Sequence, residues 1–207
     1  MPGQLSLPGL DAPVPLFRPD SISDPEGKLL GYTLFLCIFP EPDQARYIAH
    51  AADGVCHRQR LLGQRLTPAR LHVTLHAIAP FSNALPQTVI DAAKAAATSV
   101  SCPPLALVFD RALSFSHNDA FVLRCDKNSD AAVARLRHSL KTALRRAGLD
   151  PQSSGTPHMT LLYDTRHVAE HPITPISWTA TRFALIVSHV GLTHHQWLAE
   201  WRLTGGR

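Results

Sequence analysis

One four-residue pattern, histidine, apolar residue, threonine, leucine, occurs twice in this chain, as His72-Val73-Thr74-Leu75 and as His158-Met159-Thr160-Leu161. Each copy alternates polar and apolar side chains, and a β-strand is the structure in which such alternation separates two faces. The histidine and the threonine of each copy then share a polar face, while the apolar residues turn toward a core. Any fold for this chain must therefore hold two short strands that are each half polar and half buried.

Helix and strand signals alternate around the two copies. Apolar residues recur at helical spacing over 43–62, 85–100 and 129–147, and Asn128 or Ser129 is expected to cap the third helix. Strand-like runs cover 32–39, 71–78, 105–123, 156–163, 183–190 and 197–203, whereas 164–176 is predicted to be a loop. In the last strand, Trp197 and Trp201 are expected to share one face.

In each half of the chain a helix leads into a strand with the His–Thr pattern, which suggests a weak internal duplication. The predicted fold class is α+β: a bilobed, duplicated fold in which two mainly antiparallel sheets face a central cleft and the helices lie outside. Residues 28–207 are expected to form this single domain. Residues 1–27 contain six prolines and no periodicity, and we expect them to form an extended arm.

The composition is that of an ordinary soluble globular protein, with 45% apolar and 17% charged residues. The net charge of +4 tolerates an anionic ligand but does not identify one. The longest apolar stretch, 29–39, is too short to cross a bilayer, and the first residues lack the features of a signal peptide. Because the four cysteines form no paired motif, we expect them to be reduced, and the protein to be cytoplasmic without membrane attachment.

The repeated histidines are suited to acid–base chemistry on a phosphodiester. Cleavage needs a base that activates water or a hydroxyl, and an acid that protonates the leaving oxygen. Because imidazole titrates near ~6.5, one neutral and one protonated histidine can coexist near neutrality. We therefore predict His72 and His158 as the catalytic pair, with Thr74 and Thr160 donating to phosphate oxygens and no metal or other cofactor required. Without the repeated threonine, two core or surface histidines would be the simpler interpretation.

With these motifs the chain resembles the two-histidine phosphoesterases, and within them the 2′-5′ RNA ligase / RNA 2′,3′-cyclic phosphodiesterase branch. The resemblance covers roughly 31–203 and includes an apolar strand that ends at Pro40 and another that reaches Ser188. The final strand, with its two tryptophans, completes it. Relatives often carry an arginine just after the second motif, where this chain has Leu162 and Tyr163.

The resemblance implies a bilobed α+β fold with pseudo-two-fold symmetry and a cyclic phosphodiesterase activity. Such an enzyme opens 2′,3′-cyclic phosphates at RNA or nucleotide ends to 2′-phosphates. It implies His72 as the acid on the 3′ oxygen and His158 as the base on water, although a near-symmetric site makes the roles easy to exchange. In reverse, the same groups would join a cyclic phosphate to a 5′-hydroxyl through a 2′-5′ bond. The expected partner is an RNA end or a nucleotide, and the protein is expected to be a monomer.

Three further side chains are candidates for substrate binding, namely His76, Phe115 and Tyr163. His76 would continue the face of Thr74, or lie at its rim. Phe115 could stack on a base, as aromatic residues do in binders of single-stranded RNA, or belong to the core. Tyr163 falls in the core-side register of its strand, so it would reach substrate only if the strand ends there.

Two other functions remain open at this stage. The same fold could bind a nucleotide or RNA without turnover, although binding alone requires no matched acid and base. Alternatively, His72, His76 and His158 could hold a metal ion in a metal-dependent hydrolase. A spacing of four residues between the first two suits a helix, whereas this segment is predicted to be a strand.

Overall fold

The computed structural model of the protein describes residues 16–17, 31–81, 85–152, 155–189 and 194–205. In chain order, its elements are β1 (Leu16–Phe17), β2 (Tyr32–Ile38), α1 (Pro42–Arg58), a short 3₁₀ helix (Pro68–Arg70), β3 (Val73–Phe81), β4 (Leu85–Pro86), α2 (Gln87–Thr98), β5 (Leu105–Ser114), β6 (Ala120–Cys125), α3 (Lys127–Arg146), β7 (His158–Tyr163), β8 (His171–Ala180), β9 (Arg182–His189) and β10 (His194–Arg202). The α+β class is confirmed.

Eight strands form one antiparallel sheet in the order β10-β9-β2-β3-β7-β6-β5-β8. Its two four-stranded halves meet where β3 and β7 lie side by side, through a single registered pair, Val73 opposite Met159. The two sheets expected from the sequence are therefore the two halves of one hydrogen-bonded sheet, joined at a narrow seam between β3 and β7. In the first half, α1 follows β2 and leads to β3, which pairs with β2. In the second half, α3 follows β6 and leads to β7, which pairs with β6. The internal duplication itself stays a prediction.

Three helices cover one face of the sheet. On β2, Leu34, Leu36 and Ile38 point into the main core, which also contains apolar residues of all three helices. The alternate residues of β2, Phe35 and Cys37, point to the opposite face and form a smaller cluster with Phe39, Ala184 and Ile186. That second face carries the two His–Thr motifs.

The helix ends follow local capping rules, with one difference from expectation. At α1, Glu41 and Gln44 form a reciprocal capping box, and Pro42 occupies the first turn. At α3 the cap is Asp126, whose carboxylate accepts from the backbone N–H of Ser129 at 2.8 Å, so the expected cap at Asn128 or Ser129 is wrong. The hydroxyl of Ser129 instead accepts from the N–H of a β5 residue and ties the helix to the sheet.

The stretch 164–176, predicted to be a loop, contains the start of β8. Pro172 and Pro175 weaken the strand signal in the sequence. β8 is the edge of the sheet, and Pro175 lies in an irregular stretch between two registered pairs with β5, which are the places where strands tolerate proline. Prolines that usually argue against a strand are thus compatible with this one.

Most of the proline-rich segment 1–27 lies outside the described residues. The exception is Leu16–Phe17, which pairs with Leu85–Pro86 in a two-stranded antiparallel ladder. No helix in the described ranges combines the length and apolar character needed to cross a membrane.

Candidate active site

The two motifs lie next to each other at the seam of the sheet. Val73 and Met159 are fully buried on the helix side. The flanking histidine and threonine of each motif lie on the other face, where all four side chains are partly exposed. Because the strands are antiparallel, the histidine of each motif lies across from the threonine of the other. The predicted set of four is brought together on one polar face.

Both histidines are held through the same backbone contact. Nδ1 of His72 donates to the carbonyl of Arg70 at 2.7 Å, and Nδ1 of His158 donates to the carbonyl of Thr156 at 2.9 Å. A carbonyl only accepts, so in each neutral ring Nδ1 carries the hydrogen and Nε2 keeps the lone pair. Two imidazoles with oriented Nε2 atoms are a geometry suited to a base and an acid.

His72 lies in an aromatic pocket. Its ring centroid is 5.5 Å from that of Phe35, 5.4 Å from that of Phe39 and 5.3 Å from that of His195. Burial lowers the pKa of His72 to about 4, the hydrogen bond to the Arg70 carbonyl opposes this shift, and nearby positive charges lower the pKa further. The free protein therefore keeps His72 neutral.

His158 has a different environment. Phe115 approaches it edge-on with ring centroids 4.7 Å apart, and His117 stacks on Phe115 with ring centroids 5.5 Å apart. Burial again lowers the histidine pKa, and the charge of Arg137 adds to the effect. The shift at His72 is the larger of the two.

Arg137 links the two motifs from beneath. It lies on α3 with 8% of its surface exposed, and its guanidinium donates to the carbonyls of Thr74 and Gly155, the latter at 2.6 Å. Gly155 leads directly into Thr156, which orients His158. Sequence analysis missed this residue, although its place four positions after Val133 puts it on the apolar stripe of the helix.

His76 does not share the face of Thr74, and that expectation is wrong. A β-bulge places the extra residue Leu75 between Thr74 and His76, so His76 pairs with Leu36 of the core. Its side chain is 1% exposed, and its Nε2 donates to the carbonyl of Arg137 at 2.8 Å. His76 thus supports the packing of α3 against β3 instead of facing a ligand.

The second motif strand has a bulge at the matching position. On β7 the extra residue is Leu161, between Thr160 and Leu162. Both leucines are buried, so the alternation shifts by one residue and Tyr163 emerges on the surface with 55% exposure. The core-side register expected for Tyr163 is therefore wrong.

Comparison with known protein families shows which family the chain belongs to. A model of the 2′-5′ RNA ligase superfamily matches residues 39–192, which include both motifs. The chain belongs to the 2′-5′ RNA ligase superfamily. The resemblance carried by the paired His–Thr motifs is thereby confirmed. No curated protein matches the chain in sequence.

Solved structures share the fold of this superfamily member. E. coli LigT complexed with 3′-AMP has a TM-score of 0.66 at 21% identity and covers 84% of this chain and 99% of its own. LigT in apo form has a TM-score of 0.65 at 23% identity, with 84% and 98% covered. The protein TT0787 of Thermus thermophilus has a TM-score of 0.63 at 17% identity, with 84% and 100% covered.

In this member of the superfamily, the guanidinium group of Arg70, two residues before the first motif, lies near the site. The Nε of Arg70 is buried and makes no hydrogen bond within the described part of the chain. Burial lowers the pKa of Arg70, and the nearby Tyr163 phenol partly opposes this effect. The charge of Arg70 in turn lowers the pKa of His72. Arg70 is thus a cation close to both His72 and Tyr163, and sequence analysis did not select it.

Metal ligation by the three motif-region histidines does not fit the geometry. His76 points into the core, whereas His72 and His158 lie on the opposite face. Among the residues that the structure describes, no group of three or more His, Cys, Asp or Glu side chains is arranged to hold a metal ion.

Proposed function

We propose that the protein is a phosphodiesterase that opens 2′,3′-cyclic phosphates at RNA or nucleotide ends to 2′-phosphates. The observation that carries the proposal is the pair of adjacent imidazoles, each with Nδ1 fixed on a carbonyl two residues earlier. LigT, a protein of similar fold, is known in complex with 3′-AMP, which supports a nucleotide ligand. The reverse reaction, 2′-5′ ligation of a cyclic end to a 5′-hydroxyl, uses the same groups.

In the proposed reaction, one histidine takes a proton from water as the water oxygen bonds to phosphorus. The other gives a proton to the 3′ oxygen as the phosphorus–3′ oxygen bond breaks. The net protonation of the protein is therefore unchanged, and one proton transfer between the rings or through solvent restores the starting state of each ring. The hydroxyls of Thr74 and Thr160 donate to the non-bridging oxygens as charge builds there. The guanidinium of Arg70, whose charge acts on His72, is a further group that can pair with the phosphate.

The resemblance assigns the acid to His72 and the base to His158. In the free protein the lower pKa belongs to His72, which by itself favours the opposite order. A bound phosphate anion favours the protonated form of a nearby imidazole and so raises its pKa. We retain His72 as the acid and His158 as the base. A substrate whose leaving group needs no proton can test this assignment. With an aryl phosphodiester, activity lost on replacing the acid should be regained, whereas activity lost on replacing the base should not.

The test of the function uses the purified protein with chelator and nucleoside 2′,3′-cyclic monophosphates, and phosphorus NMR to identify the product isomer. We expect the 2′-phosphate, and a loss of roughly 10²–10⁴-fold in kcat/KM for both His72→Ala and His158→Ala. His171→Ala is a matched control, because His171 also donates from Nδ1 to a carbonyl two residues earlier but lies on the edge strand. A folded protein that binds nucleotide but turns over none of these substrates would contradict the proposal and favour a binding module.

A further inference from the structure

A cavity of about 460 Å³ adjoins the aromatic surroundings of His72. One wall is made of Phe39 and Trp197, and the opposite wall is the segment from Thr67 to Ala69. The rim carries the guanidinium groups of Arg46 and Arg182. We call this cavity the Trp197 pocket.

The aromatic wall depends on a local irregularity in β10. A register shift between Trp197 and Ala199 breaks the alternation of the strand. As a result, Trp201 stacks on Phe183 of the core, with ring centroids 5.2 Å apart, while Trp197 packs on Phe39 at 4.6 Å. The expectation that the two tryptophans share a face is therefore wrong. Trp197 stays 46% exposed and lines the cavity, so part of its indole is accessible to a ligand there.

The Trp197 pocket lies next to the motif face. The ring of Phe39, which lines the pocket, contacts both His72, at 5.4 Å between centroids, and Trp197, at 4.6 Å. The segment of the opposite wall runs directly into Arg70, whose carbonyl orients His72. A group attached to the sugar of a phosphate at His72 can therefore extend into this pocket.

Charge in the pocket selects against a second phosphate. Arg182 is paired with the carboxylates of Glu41 and Glu200, the latter at 3.2 Å, and Arg46 is paired with Asp43. An added anion would meet these carboxylates as well as the arginines. A neutral planar ring would not, and it could still accept hydrogen bonds at its edge from guanidinium N–H groups.

We propose that the Trp197 pocket is the nucleobase subsite, in which the base of the nucleotide stacks on Trp197 while its phosphate lies between the two motif histidines. Only the position of the phosphate rests on the proposed function. The accessible part of the indole and the neutralised rim are properties of the pocket itself. Stacking on an aromatic side chain tolerates any base, because every base has a π-face.

The test compares Trp197→Ala with the wild type on two substrates: adenosine 2′,3′-cyclic phosphate, and the 2′,3′-cyclic phosphate of methyl riboside, which has no base. From the effect of alanine substitution on base stacking, KM for the adenosine substrate should rise by roughly 5- to 150-fold, with kcat nearly unchanged. KM for the abasic substrate should stay the same. Trp197→Phe should retain most of the affinity. Tyr47→Ala, at an aromatic residue that is 54% exposed and outside the pocket, should change neither value.

An equal rise of KM for both substrates would overturn the base subsite, and so would no rise for either. If the wild type hydrolyses neither substrate, the proposed reaction fails. Calorimetric titration with 2′-AMP and with methyl riboside 2′-phosphate then decides the pocket separately. Tighter binding of 2′-AMP that disappears in Trp197→Ala would support the pocket, whereas equal affinities would reject it.

Discussion

His72 is enclosed by two phenylalanines and a further histidine, whereas His158 has one phenylalanine beside it and a more open flank. Their backbone contacts are the same, since each Nδ1 donates to the carbonyl two residues earlier. The larger pKa shift nevertheless belongs to His72. The comparison shows that the backbone just before each motif fixes the orientation of the ring, while the neighbouring elements set its proton affinity.

The threonines offer the sharpest test of whether the two halves contribute equally. Thr74→Val and Thr160→Val each remove one donor to the phosphate, and each should lower kcat by roughly 10²–10³-fold. Equal losses would indicate a phosphate held symmetrically, and unequal losses would locate the developing charge in one half. Thr→Ser at either position keeps the hydroxyl and should retain most activity. A Thr→Val variant with unchanged kcat would remove that threonine from the mechanism.

Arg137 joins the halves, so its removal should weaken both. Arg137→Leu leaves the carbonyls of Thr74 and Gly155 without their donor. We expect the free energy of unfolding to fall by about 2–4 kcal/mol, because each carbonyl loses a hydrogen bond to a charged group. Urea denaturation measures the change. Arg135→Leu, at an exposed position on the same helix, is the control and should be nearly neutral. Equal stabilities of the two variants would show that Arg137 does not hold the motifs together.

The dependence of kcat/KM on pH reports both histidines of the free enzyme. The reaction needs one protonated and one neutral ring, so activity falls below the lower pKa, where no base is left, and above the higher pKa, where no acid is left. The acidic limb should lie near 4, the pKa of His72. The basic limb should lie below the ordinary histidine value of about 6.5, because the pKa of His158 is also lowered. The profile is the same whichever ring is the acid. A basic limb above about 7 would contradict the described environment of His158.

The smallest expected effect is at Tyr163. Its side chain is 55% exposed and lies near Arg70, across the seam from the first motif. Tyr163→Phe removes one hydroxyl that could contact the phosphate beside Arg70, and we expect KM to rise by less than roughly 10-fold, as for one exposed hydrogen bond. Arg70→Lys should have a larger effect on KM if the guanidinium holds the phosphate. If the kinetics of Tyr163→Phe are identical to those of the wild type, the Tyr163 hydroxyl does not contact the phosphate.

The sequence was sufficient to predict the histidine–threonine faces, because polar and apolar residues alternate strictly through each four-residue motif. It could not predict where His76, Tyr163 and Trp197 point. A single extra residue in a strand reverses the side chains that follow it, and both Leu75 and Leu161 are apolar like the regular core-facing residues of the motifs, Val73 and Met159. The fold class followed from periodicity in the same way, while the joining of the two halves at one residue pair depends on long-range pairing.

The sequence did not predict the buried position of Arg137 or the strand β8, for other physical reasons. A charged residue in a helix is usually interpreted as solvent-facing, and only tertiary contacts show that Arg137 is buried against two carbonyls. The prolines of β8 usually indicate a loop, and only the position of that strand at the sheet edge makes them acceptable.

The paired bulges also have a consequence for how this chain can change over time. Each one acts as a phase shift: the two polar positions before it share one face, and the residue just after the extra leucine, His76 or Leu162, points into the core. Deleting Leu75 would undo that shift and turn a core histidine outward beside the two motif histidines. On β3, substitutions beyond the bulge that preserve the core would leave the polar face of the motif unaltered. This part of β3 can therefore diverge independently of any ligand that the motif face binds.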